Sequence, residues 1–190
     1  MSLIDSTYRW FAVYTRSRFE KKLAALLTEK GVTHYLPLKA EKHQWSDRVK
    51  IIEEPLLKSY LFVKVSNREY FNVLNTPGAV CYVSFRGEAA SIPEKQIDDL
   101  KKFMEVYNER VDAVRENLSK GEQIIVVSGP LKGITGELIE FRGKNRIALR
   151  FEKLGYCILT DISLKEVEVF NPEVVPTHRE LARVAAGGGL

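Results

Sequence analysis

The sequence predicts an α+β protein, with a ferredoxin-like domain followed by a small all-β barrel. Strand-like segments rich in aromatic and β-branched residues alternate with amphipathic helical segments over residues 8–107. Beyond residue 120, short β-branched segments separated by glycines replace the helical period, which favours a barrel. We expect residues 108–119 to be a linker, 120–170 the barrel domain and 171–190 a flexible tail.

The N-terminal domain has the predicted order strand-helix-strand-strand-helix-strand, which is the ferredoxin-like plan. Trp10–Thr15 and Tyr60–Val65 are its clearest strands. The first helix is predicted over about residues 18–30, and the spacing of Ser17 and Glu20 at its start predicts a capping box in which each side chain bonds the other's free amide. Two further strands are predicted at Val49–Glu53 and Val80–Phe85. A second capping box, Ser66–Glu69, opens a short helix. The final helix has an apolar face formed by Ile97, Leu100, Met104 and Tyr107.

Five short strands within about fifty residues predict the barrel of the second domain. They are Ile124–Val127, Ile134–Phe141, Arg146–Phe151, Cys157–Thr160 and Lys165–Phe170.

The first domain's sheet is predicted to have one aliphatic and one aromatic face, because successive side chains of a strand point to opposite sides. The aromatic face carries Trp10, Ala12 and Tyr14 from one strand, with Tyr60 and Phe62 from another. A ferredoxin-like sheet has its helices on one side, and the aliphatic set suits that side. We therefore expect the aromatic face to lack intramolecular cover and to bind a partner. In the alternative, the barrel or a second copy of the chain covers it.

Charge is uneven along the chain. The net charge is +4, whereas residues 9–50 hold ten Lys or Arg and four Asp or Glu, a balance of +6. Such a basic region indicates contact with a polyanion such as nucleic acid, or else an ordinary solvated surface. No apolar run approaches the roughly 20 residues that span a bilayer, and the start lacks a secretory signal, so we expect a cytoplasmic protein with no membrane partner.

No residue pattern favours an enzyme, a metal site or a cofactor. His34, His43 and His178 lack metal-ligand spacing, and neither a nucleophile elbow nor a phosphate-binding glycine loop occurs. The adjacent carboxylates Asp98-Asp99 and Glu53-Glu54 are typical of surface charge. Cys81 and Cys157 lie in apolar strand-like contexts, and we expect buried reduced thiols at both.

Several motifs together resemble the NusG family of transcription factors. Gly121–Gly136 is similar to a KOW motif, in which glycines permit a tight turn in an SH3-like barrel. The NusG N-terminal domain is matched, in order and spacing, by Arg9–Tyr14, Phe19-Glu20, Glu54–Val63 and Thr76–Gly78. The resemblance spans about Arg9 to Phe170.

Within the family, Glu54-Pro-Leu56 and Val83–Gly87 look closer to specialised paralogues such as RfaH and UpxY. General NusG usually has Phe-Pro-Gly where this chain has Leu57-Lys58-Ser59, a departure that affects the local turn and one aromatic contact.

The resemblance implies a transcription elongation and antitermination factor that binds the β′ clamp helices of RNA polymerase and suppresses pausing or termination. Tyr14, Leu57 and Phe62 match the family's apolar polymerase-binding pocket, and Trp10 and Tyr60 belong to the same face. The KOW domain would recruit a ribosomal protein or termination factor Rho, and a monomer is favoured.

Arg16 and Arg18 match the loop where specialised relatives contact the non-template DNA strand, although both are also compatible with plain surface charge. Some specialised relatives refold the second domain into a helical hairpin. We expect this chain to keep the barrel, because Ile124–Val127 is β-branched and the domain is rich in glycine. The alternative function is a KOW-containing, RNA-binding, ribosome-associated or translation factor.

Overall fold

The computed structural model describes residues 7–44, 49–115 and 118–170. The predicted flexible tail, 171–190, and His178 within it lie outside the described residues, as does the side chain of His43. No helix in the described part of the chain is both long and apolar enough to cross a membrane.

The N-terminal part contains nine strands and three helices within the described residues. They are β1 (Arg9–Thr15), α1 (Glu20–Glu29), β2 (Thr33–Tyr35), β3 (Leu38–Gln44), β4 (Val49–Pro55), β5 (Tyr60–Val65), α2 (Tyr70–Leu74), β6 (Ala79–Tyr82), β7 (Ser84–Phe85), β8 (Glu88–Ala89), β9 (Ser91–Ile92) and α3 (Glu94–Tyr107).

The main sheet has the strand order β2-β5-β1-β6, with β9 also paired to β1. All of these pairs are antiparallel. Strands β3 and β4 form a separate two-stranded hairpin, and β7 and β8 form another. The predicted alternation of side chains is confirmed, because Ala12 lies opposite Phe62 and Tyr14 lies opposite Tyr60 in the β1–β5 register.

The aliphatic face of this sheet is buried under α1 and α2, as predicted. Its apolar side chains form one cluster with those of the two helices, and this cluster makes the first core of the molecule. The cluster consists of Phe11, Val13, Leu23, Leu27, Val32, Leu61, Val63, Val65, Val73 and Tyr82.

The second part of the chain is a six-stranded antiparallel sheet in the order β10-β14-β13-β12-β11-β15. Its strands are β10 (Asp112–Arg115), β11 (Glu122–Val126), β12 (Thr135–Phe141), β13 (Lys144–Phe151), β14 (Tyr156–Asp161) and β15 (Val167–Val169). All five predicted strands are present. Gly136 allows β12 to approach β13 closely, since a Cβ there would lie 2.8 Å from the Ala148 carbonyl oxygen.

The structure places part of the predicted linker in this sheet. Asn108–Arg110 forms a 3₁₀ turn after α3, and β10 then pairs with β14. Residues 112–115 are therefore hydrogen-bonded into this six-stranded sheet, which we call the barrel after the sequence prediction, rather than forming a free linker.

Several local expectations are wrong. The predicted strand Val80–Phe85 is divided into β6 and β7, and the N-cap of α2 is Glu69 rather than Ser66, with no side-chain cap bond. Ser17 does not cap α1, whose N-cap is Phe19, and the Glu20 carboxylate instead accepts a hydrogen bond from the Ser59 backbone, 39 residues away. Cys81 is exposed because it lies on the edge strand β6, whereas Cys157 is buried as expected. Both cysteines are free.

Candidate partner-binding face

The aromatic face predicted from alternation is assembled as expected on β1 and β5. The rings of Tyr14 and Tyr60 contact each other edge to face, with centroids 5.5 Å apart. Phe62 continues the same row deeper in the sheet, where its ring stacks against Tyr35 at 6.4 Å. Leu57, in the turn that precedes β5, packs into the same apolar cluster.

This face is not free, so the expectation that it lacks intramolecular cover is wrong. Phe62 and Leu57 are 0% and 1% exposed. The second apolar cluster of the molecule joins the aromatic face to α3 and to the barrel. Its buried members are Trp10, Ala12, Leu57, Phe62, Ile92, Ile97, Leu100, Phe103, Met104, Val111, Ile124, Val126, Leu131, Ile134, Ile147, Leu149, Phe151, Leu154 and Ile158.

The alternative, that the barrel covers the face, is confirmed. Phe151 on β13 meets Phe62 with ring centroids 6.0 Å apart, and Tyr156 on β14 meets Tyr60 at 5.8 Å. The physical reason is the burial of apolar surface. The side of the sheet opposite α1 and α2 packs against α3 and one side of the barrel, so that all three surfaces are removed from water. Nothing in the sequence distinguishes Phe151, at the end of a predicted strand, or Tyr156, just before the next one, as a residue that contacts the aromatic face.

Hydrogen bonds at the edge of this apolar contact fix how the barrel is oriented on α3 and the sheet. The Gln96 side-chain amide donates to the Arg150 carbonyl at 2.7 Å, and the Lys102 ammonium donates to the Lys132 carbonyl at 2.8 Å. In the opposite direction, the Lys153 ammonium donates to the Ser91 carbonyl at 2.9 Å. Each bond joins a side chain of one part of the chain, residues 91–102 or residues 132–153, to the backbone of the other.

One corner of the aromatic face remains accessible. Tyr14 is 42% exposed and lies opposite the exposed Cys81 in the β1–β6 register. Tyr60 is half-buried, and that burial raises the pKa of its hydroxyl. Tyr156 extends the row of rings onto the barrel, and the Arg115 guanidinium lies 5.0 Å from its centroid.

Trp10 belongs to the deeper part of the face, below α3. It is 4% exposed, and the Lys101 ammonium of α3 lies 5.2 Å from its ring centroid. The neighbouring Tyr35 is also covered, and its burial raises its pKa to about 12. The free surface predicted for Trp10, Leu57 and Phe62 is thus occupied by α3 and the barrel, whereas Tyr14 and part of Tyr60 reach solvent.

Asp112 connects three parts of the chain. Its carboxylate accepts hydrogen bonds from Arg146 of the barrel at 2.6 Å and from Lys39 of the β3–β4 hairpin at 3.1 Å. Burial alone would raise the pKa of Asp112, but these two cationic donors outweigh it and hold the pKa below its ordinary value. Asn108 joins the same hairpin through its side-chain amide, which donates to the Leu38 carbonyl and accepts from the Ala40 N–H.

The two arginines predicted to touch DNA lie on the surface at the β1–α1 turn. Arg16 and Arg18 are both exposed, and Arg18 adopts a left-handed backbone with φ of 60°. Beside them a cleft of about 570 Å³ runs to the base of the β3–β4 hairpin. Its lining residues are Ser17, Arg18, Glu20, Lys21, Ile52, Glu53, Glu54, Pro55 and Lys58.

The described residues contain no group of three or more His, Cys, Asp or Glu side chains that could hold a metal ion. The paired carboxylates Asp98 and Asp99 form ion pairs with lysines on the same helix, at 3.2 Å to Lys101 and 2.6 Å to Lys95. These are surface charges of α3, as expected.

Comparisons with known proteins agree on one family. Residues 8–101 match the family model described as transcription termination factor nusG. The transcription termination/antitermination protein NusG of Staphylococcus carnosus is 23% identical over 173 residues, covering 84% of this chain and 94% of its own length. The same protein from Staphylococcus aureus (strain Mu50) is 24% identical over 176 residues, with coverages of 85% and 90%.

A solved structure described as "Domain interaction in Thermotoga maritima NusG" has a similar fold. Its TM-score is 0.50 at 20% sequence identity, and the match covers 87% of this chain and 98% of that one.

Proposed function

The chain belongs to the NusG family, whose members are non-enzymatic transcription factors, and we propose that it is an elongation and antitermination factor that binds the RNA polymerase clamp through its aromatic face. Its domains would be the ferredoxin-like, polymerase-binding domain at 8–107 and the KOW barrel at 120–170. The separate sheets β2-β5-β1-β6 and β10-β14-β13-β12-β11-β15 support two units, although β10 adds residues 112–115 of the expected linker to the second.

The observation that carries the proposal is the aromatic row on β1 and β5. Tyr14, Tyr60 and Phe62 form a continuous row on the side of the sheet opposite α1 and α2, with Leu57 at its edge. An apolar row with aromatic anchors suits a pair of partner helices such as the β′ clamp helices, because aromatic side chains dominate the centres of protein interfaces.

Binding would require the barrel to leave this face. Phe151 and Tyr156 occupy the positions over Phe62 and Tyr60 that clamp helices would take. The exposed Tyr14 would be the first contact available to polymerase, and the buried Phe62 and Leu57 would become contacts once the barrel moves. The aromatic face therefore has two alternative covers, one within the chain and one on polymerase.

The effect on transcription would be mechanical. A protein that bridges the polymerase cleft holds the clamp closed and disfavours the opened, paused state. Arg16 and Arg18, exposed at the β1–α1 turn, would neutralise phosphates of the non-template DNA strand. The resemblance of Glu54-Pro-Leu56 and Val83–Gly87 to RfaH and UpxY would fit a specialised antitermination role.

The released barrel would recruit a further factor, a ribosomal protein or Rho. Before it meets polymerase the chain would be a monomer, because the barrel covers the apolar face that a second copy could otherwise bury. It would act in the cytoplasm, where RNA polymerase is found.

A pull-down with the full chain tests the proposal. Core RNA polymerase freed of RNA should be retained, and Tyr14→Ala should reduce that retention. Phe71→Ala is the matched control, since Phe71 is an exposed aromatic residue on α2, away from the aromatic face. Retention of ribosomal RNA without core polymerase would instead favour the ribosome-associated function.

A further inference from the structure

The turn before β5 has an unfavourable backbone conformation. Ser59 has φ of 64°, in the left-handed region that residues with a Cβ rarely adopt. Such a residue persists only where its surroundings hold it in place. The surroundings of Ser59 are therefore informative about what the turn is required to do.

Glu20 holds this turn from the first residue of α1. One carboxylate oxygen accepts a hydrogen bond from the Ser59 N–H at 2.7 Å, and Glu20 is only 5% exposed. The Ser59 carbonyl accepts from the Thr15 N–H at 2.9 Å, so both of its backbone polar groups are bonded to the β1–α1 region. Hydrogen bonds that a carboxylate accepts are stronger than those between neutral groups, and this one is shielded from water.

The Glu20 side chain does not cap α1. The sequence pattern predicts a bond between Glu20 and the backbone of Ser17, yet no side-chain cap forms at this end of α1. Its carboxylate instead reaches across to a segment 39 positions later.

The conformation of Ser59 determines the position of Leu57. It lies two positions before Ser59, its carbonyl accepts from the Tyr60 N–H at 3.3 Å, and its side chain is 1% exposed in the cluster that includes Phe62. A change of φ at Ser59 rotates the chain on either side of it, because φ is one of only two soft torsions per residue. Leu57 would then leave the aromatic face.

We propose that Glu20 is a positioning residue for the polymerase-binding face, holding Ser59 in its left-handed conformation so that Leu57 is presented beside Phe62. This inference rests on the proposed function. Glu20 itself touches no partner, and its effect passes through the turn.

Four variants of the full chain test the inference: Glu20→Gln, Glu20→Ala, Ser59→Gly and the double variant Glu20→Ala/Ser59→Gly. Glutamine keeps an acceptor oxygen, so the Ser59 amide should stay protected from hydrogen exchange. In Glu20→Ala that amide should exchange roughly tenfold faster or more, as expected for the loss of one charge-assisted hydrogen bond. The Leu57 methyl resonances should move away from their positions in the parent.

Glycine provides the rescue, because it adopts positive φ without a Cβ clash. Glu20→Ala should bind core polymerase roughly tenfold more weakly, and the double variant should regain most of that affinity. Val73→Ala is the control for simple destabilisation, since Val73 is fully buried under the opposite face of the sheet. It should lower the melting temperature and leave affinity unchanged.

Unchanged Leu57 resonances in Glu20→Ala would overturn the inference. So would normal polymerase affinity in Glu20→Ala, or a loss of affinity that Ser59→Gly does not restore. If the parent chain itself fails to bind polymerase, the proposed function fails, while the exchange and methyl measurements still decide whether Glu20 places the turn.

Discussion

Truncating two rings of the same aromatic row should have very different effects on stability. Phe62 is 0% exposed and lies between the sheet and the barrel, whereas Tyr14 is 42% exposed at the corner. Removing a buried phenylalanine side chain costs about 3–5 kcal/mol, because transfer energy is lost and a cavity remains. Removing Tyr14 costs mainly its edge-to-face contact with Tyr60, worth about 0.5–1.5 kcal/mol.

These values give a measurable difference in melting. For a chain of this length each kcal/mol shifts the melting temperature by about 2–4 °C. Phe62→Ala should therefore melt roughly 6–20 °C below the parent by circular dichroism, and Tyr14→Ala within about 6 °C. An interface anchor commonly contributes about 2 kcal/mol or more, so Tyr14→Ala should bind core polymerase at least roughly 30-fold more weakly.

Phe71→Ala is the matched control, since its ring is 67% exposed on α2 and makes the same kind of edge-to-face contact, with Tyr70 at 5.5 Å. It should lower the melting temperature by about as little as Tyr14→Ala and leave polymerase binding unchanged. Melting of Phe62→Ala within about 2 °C of the parent would refute the reasoning, because a side chain buried between two domains cannot be removed at so small a cost. Normal polymerase binding by Tyr14→Ala would show that the exposed corner is not the first contact.

Three further outcomes follow from the structure. Replacing both Arg16 and Arg18 with alanine should weaken binding to a transcription complex. The slope of log K against log salt concentration should become shallower by roughly 1.4, about 0.7 for each lost phosphate contact. An unchanged slope would assign both arginines to plain surface charge. Asp112→Asn should destabilise the chain at pH 7, because the folded state holds the pKa of Asp112 below its ordinary value of 3.8. The stabilisation by the carboxylate is present above pH 3.8 and is lost as the pH falls through the lower folded-state pKa. The melting temperatures of parent and variant should therefore converge at acid pH. Amide chemical shifts across residues 124–170 of the free protein should be those of strands, and helical shifts would contradict the barrel.

The parts of the fold that the sequence predicts are those set by local periodicity. Alternation along β1 and β5 separates Phe11 and Val13 from Trp10 and Tyr14, and the structure has them on opposite faces. The strands of the barrel are bounded by glycines and turns, so their positions follow from nearby residues. Each of these signals extends over only a few positions of the chain.

The cover of the aromatic face could not be predicted in this way. The packing of the barrel on the sheet depends on the shapes of two surfaces that exist only after each part has folded. Hydrophobic periodicity in the sequence does not predict such packing. Phe151 and Tyr156 fall in β13 and β14 with nothing to distinguish a domain-facing ring from a barrel-core ring. Glu20 shows the same limit, since its hydrogen-bond partner lies 39 residues away while the nearby Ser17 offered a local alternative.

The arrangement of the apolar clusters suits a cover that can be removed. The cluster under α1 and α2 lies entirely within the N-terminal domain, and a separate cluster around Ile139, Cys157 and Leu159 lies within the barrel. Each part of the chain therefore has an apolar cluster that is separate from the shared one.

Between the domains, the polar contacts of Gln96, Lys102 and Lys153 are single side-chain bonds to backbone carbonyls. Such bonds contribute modestly when water can replace them. A chain that is closed about 99% of the time would bind polymerase roughly 100-fold more weakly than an open one, because only the open fraction is competent. Variants that weaken the barrel's contact without touching β1 or β5 should therefore bind more tightly, which is the opposite of what truncating the face itself produces.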